Sequence, residues 1–258
     1  MESLVSIATP VHNTARFLPA ALDSLLAQDH PHWECLVWDD GSTDGSGEIA
    51  AGYAARDPRF RVLGNGQRNG VGVALASALD EARGDYVGVL DADDALTPDA
   101  LSTMLGFLRE RPQVGMAYSQ YVEIDEDGNE IGAGRSFSTP YSPQQLLVEF
   151  MTQHFRLARI EAYRAVGGFD RGMAVSADYD FCLRISERYP IEHVPRSLYR
   201  YRIRRDSISQ GSRLRQVRAS FDAAQRALPR RGMQGRFSLS LGVRARHVLL
   251  PKPHDGHA

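Results

Sequence analysis

Through the first half of the chain, short apolar runs alternate with stretches whose apolar residues recur every three or four positions. Residues 5–8, 33–38, 61–63 and 86–90 read as strands, because apolar runs this short lack a helical period and suit a buried strand. Between them, residues 15–28 place Phe17, Leu18, Ala21, Leu22, Leu25 and Leu26 on one helical face. Residues 47–55, 71–82 and 98–109 also read as helices. Such alternation predicts an α/β fold with a mostly parallel central sheet covered by helices. Residues 114–118 and 122–124 read as further short strands, and Asp127-Gly128-Asn129 as a turn. The second half has a different texture. Residues 143–152 and 178–188 are expected to be helical, and Gly167-Gly168 lies between them. The spacing Leu214, Val217, Phe221, Ala224, Leu228 predicts an amphipathic helix with arginines on its other face, broken by Pro229.

Composition narrows the class. At 258 residues, 43% of them hydrophobic and 24% charged, the chain suits one ordinary α/β domain with an appendage. Cys35 and Cys182 lie far apart without metal-ligand spacing, so buried reduced thiols are expected. No charged segment followed by an apolar one precedes the first strand, and no stretch approaches the 18 apolar residues of a membrane span. A cytoplasmic location is the resulting expectation. Lys252 is the only lysine, so basic charge is almost all arginine. From Asp206 onward ten Lys or Arg stand against three Asp, a net of about +7. The whole chain is −2, which leaves about −9 on residues 1–205. An acidic body with a basic tail, lacking a basic stripe interleaved with aromatics, is not the profile of a nucleic-acid-binding protein.

The most informative segment is Tyr86-Val87-Gly88-Val89-Leu90-Asp91-Ala92-Asp93-Asp94. Three acids stand where a buried strand leaves the sheet, and in open α/β sheets that carboxyl edge is where ligands bind. Clustered carboxylates repel unless a cation neutralises them. Oxygen ligands of the Asp-x-Asp kind suit magnesium or manganese, which in turn suit a diphosphate.

Four stretches together resemble the family 2 inverting glycosyltransferases of GT-A fold. They are Val5-Ser6-Ile7-Ala8-Thr9-Pro10-Val11-His12-Asn13, Val37-Trp38-Asp39-Asp40-Gly41-Ser42-Thr43-Asp44-Gly45, the acids of Leu90 to Asp94, and Gly167-Gly168-Phe169-Asp170 followed by Ala177-Asp178-Tyr179-Asp180. The resemblance covers residues 3–209 in the family's order. It implies a GT-A glycosyltransferase domain over 1–209, with a nucleotide-sugar-binding half to about 115 and an acceptor half from 116. Residues 210–258 would form a basic, partly helical C-terminal extension.

The resemblance also implies roles for single residues. Pro10 and His12 would wall the nucleotide pocket, His12 standing where the family usually has Tyr. Asp40 would accept the imino N–H of uracil, and Arg68 would close over the base. Asp91 would face the ribose or water around the ion, and Asp93 would hold a divalent metal, manganese or magnesium. Asp94 would cap the next helix or support Asp93. Asp178 would be the catalytic base, preceded by Ala177 where many relatives have Glu. Arg204 stands where the family often carries a His toward the metal. Arginine stays protonated and cannot ligate a cation, so a diphosphate contact is expected of it. His154 is a candidate on the acceptor side.

The implied activity is metal-dependent transfer of one sugar, with inversion, from a nucleoside-diphosphate sugar to a carbohydrate, lipid-linked or other hydroxyl acceptor in glycan biosynthesis. A UDP-sugar is the expected donor. The Gln-x-x-Arg-Trp motif of processive synthases is absent, since both tryptophans, Trp33 and Trp38, lie upstream. Two rival enzyme classes fit less well. A haloacid-dehalogenase phosphatase would carry its Asp-x-Asp near the start of the chain, and a nucleotidyltransferase would show a Gly-rich basic loop after its first strand. A non-catalytic donor-binding subunit stays open, although it would have no use for a base at Asp178. The basic tail is expected to touch an anionic membrane surface at the inner face of the membrane, to extend as a solvated helix, or to associate with a second copy as a homodimer.

Overall fold

The apolar runs at the front of the chain become parallel strands because their side chains lose water on both faces of a sheet. In the computed structural model, which describes residues 3–134, 141–204 and 213–242, β1 (Val5–Val11) is buried at six of its seven positions. It lies between β2 (Trp33–Asp39) and β4 (Tyr86–Val89), parallel to both, and β3 (Phe60–Gly64) extends the parallel set beyond β2. Crossover helices α1 (Leu18–Leu26), α2 (Ser46–Arg56) and α3 (Val71–Asp80) join these strands. The chain then adds β5 (Ala95–Leu96), α4 (Ala100–Arg109), β6 (Met116–Ile124) and β7 (Glu130–Ala133), followed by β8 (Arg156–Arg159), α5 (Ile160–Ala165), α6 (Ala177–Ile185), β9 (Ile191–Arg202) and α7 (Arg213–Arg230). The sheet order is β3-β2-β1-β4-β8-β6-β9-β5, with β7 paired to β6. Beyond β4 the pairing becomes mixed: β8 runs antiparallel to β4 and β6, while β6 and β9 are parallel.

Each face of the sheet has its own core. Trp33, Leu22, Leu25, Leu101, Met104 and Tyr199 fill one side. Leu75, Leu79, Met116, Phe181 and Leu183 fill the other, joined by Ala223, Ala224, Ala227 and Leu228 of α7. Full burial of a leucine contributes roughly 1.5–3 kcal/mol, so the two cores fix the sheet edge on which the polar groups sit.

Some elements depart from the sequence reading. Residues 143–152 form only a single 3₁₀ turn, Gln145–Leu147, and not a helix. The turn begins where the Ser142 hydroxyl accepts the Gln145 N–H. Beyond it the chain runs on without regular structure into β8, where the Arg156 guanidinium donates to the Thr152 carbonyl at 2.8 Å. Residues 116–118 of the first expected strand and 122–124 of the second belong to the one strand β6, bulged where its register with β9 shifts. Pro229 lies inside the last turn of α7 and does not end it. The expected domain boundary at 209–210 and residues 243–258 of the expected extension lie outside the described residues.

Candidate functional site

The carboxyl ends of β2, β1 and β4 lie side by side, and two polar clusters occupy that edge. The first is built on β1 and β2. Asp40 is buried, and its two carboxylate oxygens accept the backbone N–H groups of Asn69 at 2.6 Å and Gly70 at 2.9 Å. Its backbone carbonyl lies 3.0 Å from Nδ1 of His12. Asp40 therefore joins the loop carrying Arg68 to the end of β1. Gly41 makes the close approach possible. With φ of +73°, it would place a Cβ only 2.9 Å from the Arg68 amide nitrogen. Pro10 and His12 are half-buried beside this loop, and Arg68 is exposed on it. Asn13, also at positive φ, receives the Thr43 N–H at 2.8 Å and ties the two strand-end loops together.

The second cluster follows β4. Asp94 is buried and does not cap α4. It accepts the Tyr199 hydroxyl at 2.8 Å and the Arg202 N–H at 2.7 Å. The Tyr199 oxygen also accepts the Asp91 N–H at 3.2 Å. Arg202 donates to the Asp93 carbonyl at 2.7 Å and to the carbonyls of Asp125 and Glu126. The acidic turn is thus held by β9. Burial, with the charges of Asp93 and Asp91 added, pushes Asp94 well above the ordinary carboxylate range. Burial and Asp93 push Asp91 up to about 7, against the opposing pull of Arg156. Asp93 keeps more surface, 26% of its side chain, and its Oδ2 receives Nη1 of Arg204 at 2.8 Å.

Asp178, in the first turn of α6, joins this cluster through Arg156. Oδ2 meets Nη2 of Arg156 at 3.2 Å, and Oδ1 accepts the Tyr179 N–H at 2.9 Å. Arg156, its side chain 10% exposed, lies between Asp178 and Asp91. Burial works against its charge, yet Asp178 and the surrounding anionic groups raise its pKa beyond the usual arginine value. Asp180 points away, bonding Arg184 at 2.7 Å inside the fold. His154 stacks on Tyr199 with ring centroids 4.6 Å apart and on Tyr201 at 5.4 Å.

The structure therefore gathers Pro10, His12, Asp40 and Arg68 in one cluster. It gathers Asp91, Asp93, Arg204, Asp178 and His154 in the neighbouring cluster. Sequence reasoning assigned nothing to Arg156, Tyr199 or Arg202. Arg156 left a signal, since an arginine inside the strand-like run Phe155-Arg156-Leu157-Ala158 must find an acid when buried. Among the described residues no three His, Cys, Asp or Glu converge on a point that could cage a metal. No helix among them is long and apolar enough to cross a membrane.

Residues 6–167 match the family described as Glycosyl transferase family 2. The chain is 33% identical to the chondroitin synthase of Escherichia coli over 196 residues, 76% of this chain and 28% of that protein. It thus spans little more than a quarter of that relative's length. Among solved structures, S. aureus TarS 1–349 in complex with UDP-GlcNAc aligns with a TM-score of 0.68 at 18% identity, covering 90% of this chain and 74% of that one. The mannosyltransferase PcManGT of Pyrobaculum calidifontis, in complex with GDP-Man and Mn2+, aligns with a TM-score of 0.63 at 20% identity, covering 93% and 77%. At these identities the likeness is one of fold.

Proposed function

The chain belongs to glycosyl transferase family 2, and we propose that it moves one sugar per encounter from a UDP-sugar to a hydroxyl of a carbohydrate or lipid-linked acceptor, with inversion. The observation that carries this reading is that Arg156 pairs with Asp178 and lies against Asp91, which brings a carboxylate of α6 to the acidic turn after β4, beside the separate cluster at Asp40. A protein that only bound a nucleotide sugar would need the Asp40 cluster and the acids near it, not a carboxylate brought in from α6.

The nucleoside rests on Asp40. Both its oxygens hold backbone amides, but each carboxylate oxygen has a further lone pair that can take the imino N–H of uracil. Cytosine offers no such donor. The fold itself leaves the base open, since the two structural neighbours carry a uridine and a guanosine donor. His12 would stack on the base, Arg68 close over it, and Asp91 face the ribose.

A divalent ion fits the residues present, with Asp93 as its protein ligand and with diphosphate oxygens and water completing the shell. Two of the three acids on this turn are pushed upward by burial and by the charge of their neighbours, which makes their ionised forms costly, and a cation would lower that cost. When bound, the ion supplies charge stabilisation to the departing nucleotide. Arg204 would add a second positive group for the diphosphate.

Asp178 is the base in this reading. It takes the acceptor hydroxyl proton as that oxygen bonds to the anomeric carbon and the bond to the diphosphate oxygen breaks. Arg156 keeps the carboxylate aimed. One base and one displacement leave no covalent intermediate, so the configuration inverts.

The test is a panel of nucleotide sugars incubated with manganese, a hydroxyl acceptor and either wild type or Asp178→Asn. The expected result is transfer from UDP-sugars that a chelator stops, and a rate roughly 10²–10⁴-fold lower for Asp178→Asn with UDP-sugar binding nearly unchanged. Transfer by Asp178→Asn at the wild-type rate, or a product that keeps the donor's anomeric configuration, would sink the mechanism.

A further inference from the structure

Asp93 already has a cation of its own. Arg204 donates from Nη1 to its Oδ2 at 2.8 Å, and the guanidinium carbon lies 4.8 Å from the centroid of the buried Phe17 ring. The pair is largely withdrawn from water, the arginine side chain being 12% exposed. Arg202 also lies against Phe17, at 5.2 Å, but it is fixed by the backbone carbonyls of Asp93, Asp125 and Glu126. Arg204 meets the carboxylate itself, on an oxygen through which Asp93 would hold a divalent ion.

A guanidinium and a divalent ion on one carboxylate repel each other, and at a partly buried site that repulsion is several times its strength in water. We propose that Arg204 is a tethered counterion, which occupies Asp93 in the donor-free protein and yields it to the ion when a diphosphate arrives to receive the guanidinium. This rests on the reading of Asp93 as the ion's ligand. Arginine suits the exchange because its planar fork fits carboxylate and phosphate oxygens alike, and its charge is permanent. The consequence is coupling. The ion alone binds weakly, nucleotide and ion bind together, and each strengthens the other by the same factor.

The experiment is manganese binding to the full chain by titration calorimetry, with and without UDP, for wild type, Arg204→Gln and Arg204→Lys. Wild type should bind manganese weakly alone and on the order of tenfold more tightly with UDP. Arg204→Gln should bind manganese alone more tightly than wild type and lose most of the gain from UDP. Arg204→Lys keeps a cation beside Asp93 and should bind manganese alone as weakly as wild type, which also controls for damage to the fold. If Arg204→Gln gains no affinity for manganese while wild type still binds it with UDP, the exchange is wrong and the ion site stands. Equal tightening in Arg204→Lys would also overturn it, since charge would not be what keeps the ion off. If manganese binds none of the three proteins even with UDP, the ion reading fails and the exchange fails with it.

Discussion

His154 is an ionisable side chain that the fold keeps neutral. Its ring is stacked on Tyr199 and Tyr201, and burial, with the charge of Arg156 added, holds its pKa well below the ordinary 6.5. The unfolded chain restores the ordinary value. Below pH 6.5 the unfolded state then binds a proton that the folded state refuses, so stability is present above that pH and falls as pH drops toward the folded pKa. Melting curves at pH 7.5 and 5.5 check this. Wild type should lose a few degrees more on acidification than His154→Gln, and equal losses would refute it. The sequence placed His154 on the acceptor side. As a neutral stacked ring it would offer an acceptor an apolar plane and not a charge.

At the scale of elements, the site depends on how β9 grips the turn after β4. Tyr199 is the clearest point of that grip, because its one hydroxyl serves both Asp94 and the Asp91 N–H. Tyr199→Phe keeps the ring and removes both bonds, leaving a buried carboxylate short of a partner. The expected cost is about 1–3 kcal/mol in denaturant unfolding, with slower transfer as Asp93 loosens. A variant as stable as wild type would show that Asp94 finds its partners elsewhere. This grip was not legible in the sequence. β1, β2 and β4 were, because strands buried on both faces read as unbroken apolar runs. β9 lies beside β6 and β5, and its last turns read Tyr199-Arg200-Tyr201-Arg202, an alternation whose arginines disguise a strand. The acids Asp93 and Asp178 could be named from local motifs. Arg156, which lies between the two halves of the site, acquires its meaning only when β8 is paired to β4. The apolar spacing of residues 143–152 misled for a related reason, since Leu146, Leu147 and Met151 are buried by tertiary contacts with only one 3₁₀ turn among them.

The whole molecule has an uneven charge, about −9 on residues 1–205 and +7 beyond them. α7 carries this asymmetry on a fixed frame. Its second half packs Ala223, Ala224, Ala227 and Leu228 into the core, while Leu214 stays 83% exposed and Val217 40% near its start. Arg215 and Arg218 stand beside them, and Phe237 and Leu241 are exposed further on. Basic charge attracts an anionic bilayer by about 1 kcal/mol per residue close to the surface, and apolar side chains are needed to hold the contact once made. Both are present on this part of the chain. The intact protein should therefore sediment with vesicles containing anionic lipid at moderate salt, release as salt is raised, and ignore vesicles of neutral lipid. Leu214→Glu with Arg215→Glu should abolish sedimentation with little change in melting temperature, since neither side chain enters the core. If intact protein stays in the supernatant with anionic vesicles, the basic extension serves another partner, and a second copy of the chain, detected by sedimentation equilibrium, becomes the one to measure.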